Sequence, residues 1–191
     1  HTYRPHDLNA EQSAKLDWTG YGKAEDAVFE EVRKEVTQEL VPDQRVPVNR
    51  YFEGSPVHPG RFSPDWNRSY VLEPDAAPKG AVVLLHGLTD APYSLRHIAR
   101  RYRERGYVAV AIRLPGHGTV PGSLADVEWE DWSEATRLAV REARRRTAPS
   151  MPRASNDHEF ICPGAMRRVS QSMLNRRAPP VGAVGTRQAS R

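Results

Sequence analysis

Cysteine is nearly absent. Cys162 is the single one among 191 residues, so an internal disulfide is excluded and the redox compartment stays open. No run of eighteen or more apolar residues occurs, and no helical membrane span is expected. Apolar side chains make up only 38 % of the chain, with a mean hydropathy of −0.69, low for a chain that folds along its whole length. Lysine is rare, with four against 24 arginines. The net charge of +4 is unevenly placed: residues 144–191 hold ten arginines and two acids, Asp157 and Glu159, while the other eighteen basic and twenty-two acidic side chains give residues 1–143 a net charge of −4. The basic character belongs to the tail. That tail has one aromatic, Phe160, too few for base stacking, and no nucleic-acid partner is expected. The chain begins at His1, which leaves open an upstream targeting segment. Neither the compartment nor the oligomeric state follows from composition.

What is present is an α/β pattern, long enough for one domain with a sizeable core. Residues 1–23 are polar and aromatic without period. Val28, Val32, Val36 and Leu40 recur every four residues and predict an amphipathic helix over 24–40, stopped by Pro42. Residues 41–66, rich in Pro and Gly, read as a long surface connection, and 69–73 as a short strand. The apolar run 81–86 predicts a central strand of a parallel sheet. A helix is expected over 94–105, with Ser94 as N-cap, Leu95, Ile98, Ala99 and Tyr102 buried, and Gly106 at its end. The run 107–112 is a second strand, so strand, helix and strand form a parallel βαβ unit. A helix from Trp129 to about Arg145 would bury Trp132, Ala135, Leu138, Ala139 and Ala143.

Four motifs follow one another in order: Leu84-Leu85-His86-Gly87-Leu88-Thr89; Tyr93-Ser94-Leu95 opening a helix that closes at Gly106-Tyr107; Arg113-Leu114-Pro115-Gly116-His117-Gly118-Thr119; and Trp129 with Asp131-Trp132. The set, over residues 68–146, resembles the α/β-hydrolase fold family, and within it bacterial carboxylesterases and monoacylglycerol lipases of the serine-aminopeptidase-like group. The resemblance implies acyl transfer to water through a serine acyl-enzyme, with a small carboxylic ester (a monoacylglycerol or short-chain acyl ester) as the partner. It implies no metal and no organic cofactor. It places Leu88 as an oxyanion-hole residue whose backbone N–H faces the reacting carbonyl, a donor worth about 2.7–4 kcal/mol in such sites. His86 and Gly87 form the oxyanion turn, Gly87 for its tight bend and His86 to orient the loop. Gly116, His117 and Gly118 form a pocket loop; the family's base lies late in the chain, so His117 reads as structural. Trp129 and Trp132 are expected to pack the helix on the sheet, and Asp90 to be a solvated carboxylate near the mouth. An aspartate nucleophile fits less well, because enzymes that use one often carry Pro soon after His-Gly, and Thr89 follows Leu88 here.

The pattern then breaks. The family's nucleophile elbow, Gly-x-Ser-x-Gly, places serine in a strained strand-to-helix turn, and no such motif occurs in the chain. A count of roughly seventy residues from His86 reaches Ser155, but Arg153 and Asp157 stand where glycines belong, and Pro149 and Pro152 do not suit a central strand. Asp157, His158 and Cys162 lack any flanking motif. The catalytic serine, acid and base are therefore unassigned, and the chain reads as truncated or inactive as given. Its arginine-rich composition fits a frame shift in a GC-rich gene near Thr147. The expected organisation is a helical arm and linker (1–67), the N-terminal half of an α/β-hydrolase parallel sheet with that added N-terminal helix (68–146), and a basic, unstructured tail (147–191). A non-catalytic fragment and an interaction protein whose basic tail binds an acidic partner are the alternatives.

Overall fold

The structure, a computed structural model, describes residues 2–148 and the backbone of Phe160–Ile161. The N-terminal segment holds two helices, α1 (Ala10–Lys15) and α2 (Trp18–Val32), the latter continued by a π-helical turn at Arg33–Thr37. The first helix, and the start of the second ahead of residue 24, correct the aperiodic reading of residues 1–23. Their signals are caps: Asn9 and Gln12 form a capping box on α1, and the Asp17 carboxylate accepts the Gly20 N–H of α2. Val28, Val32, Val36 and Leu40 are buried as their spacing requires.

Strand β1 (Tyr70–Leu72) is followed by β2 (Gly80–Leu85), α3 (Arg96–Glu104), β3 (Tyr107–Ile112), α4 (Trp129–Thr147) and β4 (Phe160–Ile161). The sheet order is β1-β3-β2-β4. Strands β2 and β3 run parallel, from Gly80 opposite Tyr107 to Leu85 opposite Ile112, as the βαβ reading requires. The sheet is mixed and not wholly parallel, since β1 lies antiparallel on β3. The link 73–79 is too short for a parallel crossover, so the chain reverses direction there. The tail contributes a strand where none was expected: β4 pairs parallel with β2, Phe160 opposite Val83 and Ile161 opposite Leu84.

Both faces of the central strands are covered. Val83, Val108, Val110 and Ile112 pack with Leu8, Tyr21 and the Ala135, Leu138, Ala139 and Ala143 face of α4. On the other face, Val82, Leu84, Ala109 and Ala111 pack with Leu95 and Ala99. Each fully buried leucine of this kind contributes about 1.5–3 kcal/mol. Two details depart from the sequence reading on the α3 side. A 3-10 turn, Pro92–Leu95, leads into α3, so Ser94 is not its N-cap; and Ile98 is 38 % exposed. On α4, Trp132 packs against the core, but Trp129 at the first turn is 69 % exposed and does not pin the helix to the sheet.

Candidate active site

The C-terminal ends of β2 and β3 lie side by side, and the loops leaving them make the site. Beyond Leu85, residues Gly87–Asp90 form a turn in which the Asp90 N–H donates to the Gly87 carbonyl at 3.2 Å. Leu88 occupies the first central position and is 64 % exposed. Its N–H has no acceptor among the described residues. Gly87 does not have a positive φ, and a Cβ there would meet nothing within 4 Å. It is therefore not needed for the bend; what its missing side chain provides is open space beside the Leu88 N–H.

Two histidines fix the peptide planes on either side of Leu88. His86 is 3 % exposed. Its Nε2 accepts the Leu114 N–H at 3.0 Å, which assigns the proton to Nδ1. Nδ1 in turn donates to the Gly87 carbonyl at 3.0 Å. That carbonyl and the Leu88 N–H belong to one peptide group, so holding the first aims the second. Burial, aided by the neighbouring His117 ring, lowers the His86 pKa from 6.5 to about 4. It stays neutral and spends both nitrogens on backbone groups, a role in orientation.

His117 comes from the loop after β3. Its Nε2 meets the Leu88 carbonyl at 2.8 Å, and its Nδ1 faces the Leu114 and Pro115 carbonyls at 3.2 and 3.0 Å. The ring lies 4.7 Å from that of His86 and 5.6 Å from Trp132, whose indole N–H donates to the Pro115 carbonyl at 3.0 Å. Gly116 and Gly118 have φ of +82° and +76°, the left-handed region that favours glycine. A Cβ on Gly116 would also lie 2.7 Å from a Val127 methyl. The pocket loop thus needs its two glycines.

Under this loop lies a charge cluster whose members no local pattern pairs. Arg113, directly after β3, is fully buried. Two 2.8 Å bonds join its guanidinium to Asp7, a 3.0 Å bond joins it to Glu25, and Nη1 also donates to the His117 carbonyl at 3.1 Å. Asp7 accepts the Gly116 N–H at 2.7 Å. Ser69 links the parts further, its Oγ donating to Glu25 at 2.8 Å and accepting the Arg113 N–H at 2.8 Å. The Tyr21 hydroxyl donates to the Arg113 carbonyl at 2.7 Å. Burial works against the charge of Asp7, but Arg113 and the backbone donors outweigh it and hold the carboxyl below its ordinary range. For Glu25 burial prevails and its pKa is raised.

A cavity of about 470 Å³ opens over the turn, lined by Leu88, Thr89, Asp90 and His117 and by Arg50 and Tyr51 of the long connection. Its volume is within the usual range of small-ligand pockets, about 300–1,000 Å³. Leu88, His117, Gly116 and Gly118 all line it, while His86 sits behind them. Ser155, Asp157, His158 and Cys162 lie outside the described residues. Among the described residues no group of three His, Cys, Asp or Glu side chains is placed to hold a metal ion, and no helix is long and apolar enough to cross a membrane.

Parts of the chain are similar in sequence to known proteins. Over 62 residues, 31 % of this chain and 25 % of the other, it is 39 % identical to the thermostable monoacylglycerol lipase of Bacillus sp. (strain H-257). Over 52 residues, 27 % of this chain and 21 % of the other, it is 42 % identical to a carboxylesterase of Bacillus subtilis (strain 168). A solved structure reported among the metagenome-derived lipolytic enzymes LipS and LipT is 28 % identical, covers 42 % of this chain and 32 % of its own, and superposes with a TM-score of 0.39. No family model matches. The chain spans about a quarter of the length of the curated relatives it matches. The fold is α/β. The partial relatives, named as lipase and esterase, support kinship with the α/β-hydrolase family.

Proposed function

We propose that this chain carries the oxyanion-binding half of a serine hydrolase acting on carboxylic esters, of the monoacylglycerol or short-chain acyl class. The observation that carries the reading is the Leu88 N–H, without an acceptor among the described residues, between two histidine-held peptide planes on a residue that lines a cavity at the strand ends. Attack on an ester turns its carbonyl oxygen into an oxyanion. A fixed donor stabilises that charge more than it stabilises the neutral carbonyl, and so lowers the barrier. Leu88 is one such donor. In enzymes of this type the second is the N–H after the nucleophile, and the sequence holds no Gly-x-Ser-x-Gly to supply it; Cys162-Pro163-Gly164 follows β4 instead. The chain as given is therefore read as a binder of the ester carbonyl whose acylating serine is unassigned. The partial identity to a monoacylglycerol lipase and a carboxylesterase supports the choice of ester class.

The test is to titrate the ¹⁵N-labelled chain with monobutyrin, alongside Leu88→Pro. Proline is favoured at the first central position of such a turn; it removes the N–H together with the leucine side chain, so Leu88→Ala, which loses the side chain alone, is the control. In the parent chain the Leu88 amide should shift on titration, together with Thr89 and Gly118, and the last two should stay still in Leu88→Pro. Equal shifts in both proteins, or none at the cavity, would overturn the reading. So would hydrolysis of p-nitrophenyl butyrate that survives the substitution, because loss of one oxyanion donor lowers turnover about 10²–10³-fold.

A further inference from the structure

We infer that the N-terminal arm is a positioning device for the oxyanion turn, with Asp7 and Glu25 acting through Arg113 on the loop that holds Leu88. The inference rests on the reading of Leu88 just given, but its geometry stands apart from any substrate. The path is continuous. Asp7 grips both terminal nitrogens of Arg113 and the Gly116 N–H. Arg113 holds the carbonyl of His117, and the His117 ring holds the carbonyl of Leu88. A second path runs from Glu25 through Ser69 to the Arg113 backbone. The adjacent Leu114 N–H then fixes His86, and His86 fixes the Gly87–Leu88 peptide.

Every group in the clamp is secluded: the Arg113, Asp7 and Glu25 side chains are 0, 6 and 3 % exposed. Arg113 cannot give up its proton in a protein, and a buried cation without counter-charge is unfavourable. The strand-end loop can therefore hold this shape only with the arm in place. The arm's carboxylates come from helix α2 and from the segment before α1, both remote from the hydrolase-like motifs in sequence. Neither touches the cavity. They are positioning residues.

Asp7→Asn tests this directly, because it keeps the size of the side chain and removes its charge. The readouts are hydrogen exchange at the Gly116 and Leu114 amides, which are bonded to Asp7 and His86, together with the Leu88 chemical shift and the ring ¹⁵N signals of His86 and His117. In the variant, exchange at those two amides should accelerate about tenfold and the His117 ring signals should move, while amides of β2 and α4, such as Val83 and Leu138, keep their rates. Uniform acceleration would mean that Asp7 serves only global stability, and unchanged Leu88 and His117 signals in a folded variant would equally overturn the proposal. Should Asp7→Asn not fold, Ser69→Ala removes a single hydroxyl from the second path and is read in the same way, with His86 the ring expected to move. No ligand is needed. A turn that responds to Asp7 but ignores monobutyrin would sink the ester reading and leave the clamp intact, and the reverse pattern would do the opposite.

Discussion

Acid should weaken this protein through His86 before any carboxylate is exhausted. In the folded chain the ring is buried, and its Nε2 is the acceptor for the Leu114 N–H. Protonation would set donor against donor at that contact, and burial opposes the charge in addition. The folded pKa of about 4 lies below the ordinary 6.5. Unfolded chains therefore bind the extra proton between these values and folded ones do not. Stability from this group is present in full above pH 6.5 and drains as pH falls toward 4, at up to about 1.4 kcal/mol per pH unit. Between pH 7.5 and 5.0 the loss comes to about 2 kcal/mol. The assay is urea unfolding at both pH values for the parent and for His86→Gln, which keeps an acceptor near Leu114 and cannot titrate. Glu25, whose raised pKa works in the opposite direction, and Asp7, whose lowered pKa acts at more acid pH, are common to both proteins and cancel in the difference. The parent should lose about 2 kcal/mol that the variant does not. Parallel pH dependence in the two proteins would refute the buried neutral histidine, and with it the assigned direction of the Nδ1–H.

Three further outcomes follow. Leu138→Ala, at a position 1 % exposed between α4 and the sheet, should lower unfolding free energy in urea by about 2–5 kcal/mol through the cavity it leaves. Gly116→Ala places a Cβ against Val127 at a positive φ; it should cost at least about 1–2 kcal/mol by the same measurement, and the Asp7-held Gly116 amide should show the largest chemical-shift change. Translating the codons for residues 140–165 in the other two frames should yield Gly-x-Ser-x-Gly after a short apolar strand; if neither frame does, the frame-shift account of the tail is withdrawn.

The parts of the fold that could be read in advance are those whose physics is local. Strand β3 follows from an apolar run between Gly106 and Arg113, and α4 from its apolar spacing, which survives in the buried Ala135, Leu138, Ala139 and Ala143. The His-Gly turn was legible as a motif, but its support was not. Gly87 was expected to permit a bend and in fact leaves space. Strand β4, two residues between His158-Glu159 and Cys162-Pro163, is too short to have a period at all; it is defined by its pairing with β2 and by nothing in its own sequence.

The clamp is the instructive case, because half of it was readable. An arginine directly after a strand of buried residues must be paired, since a buried unpaired guanidinium is too costly to keep. Arg113 therefore announces that carboxylates will reach it. What it does not announce is which ones: the chosen partners lie 88 and 106 residues away along the chain, Glu25 on the amphipathic helix and Asp7 in the aperiodic stretch ahead of it, where many acids compete. The need is local and the solution is tertiary. The N-terminal segment ahead of this sheet thus supplies the counter-charges of its strand-end arginine, and through that arginine the proposed support of the turn that carries Leu88.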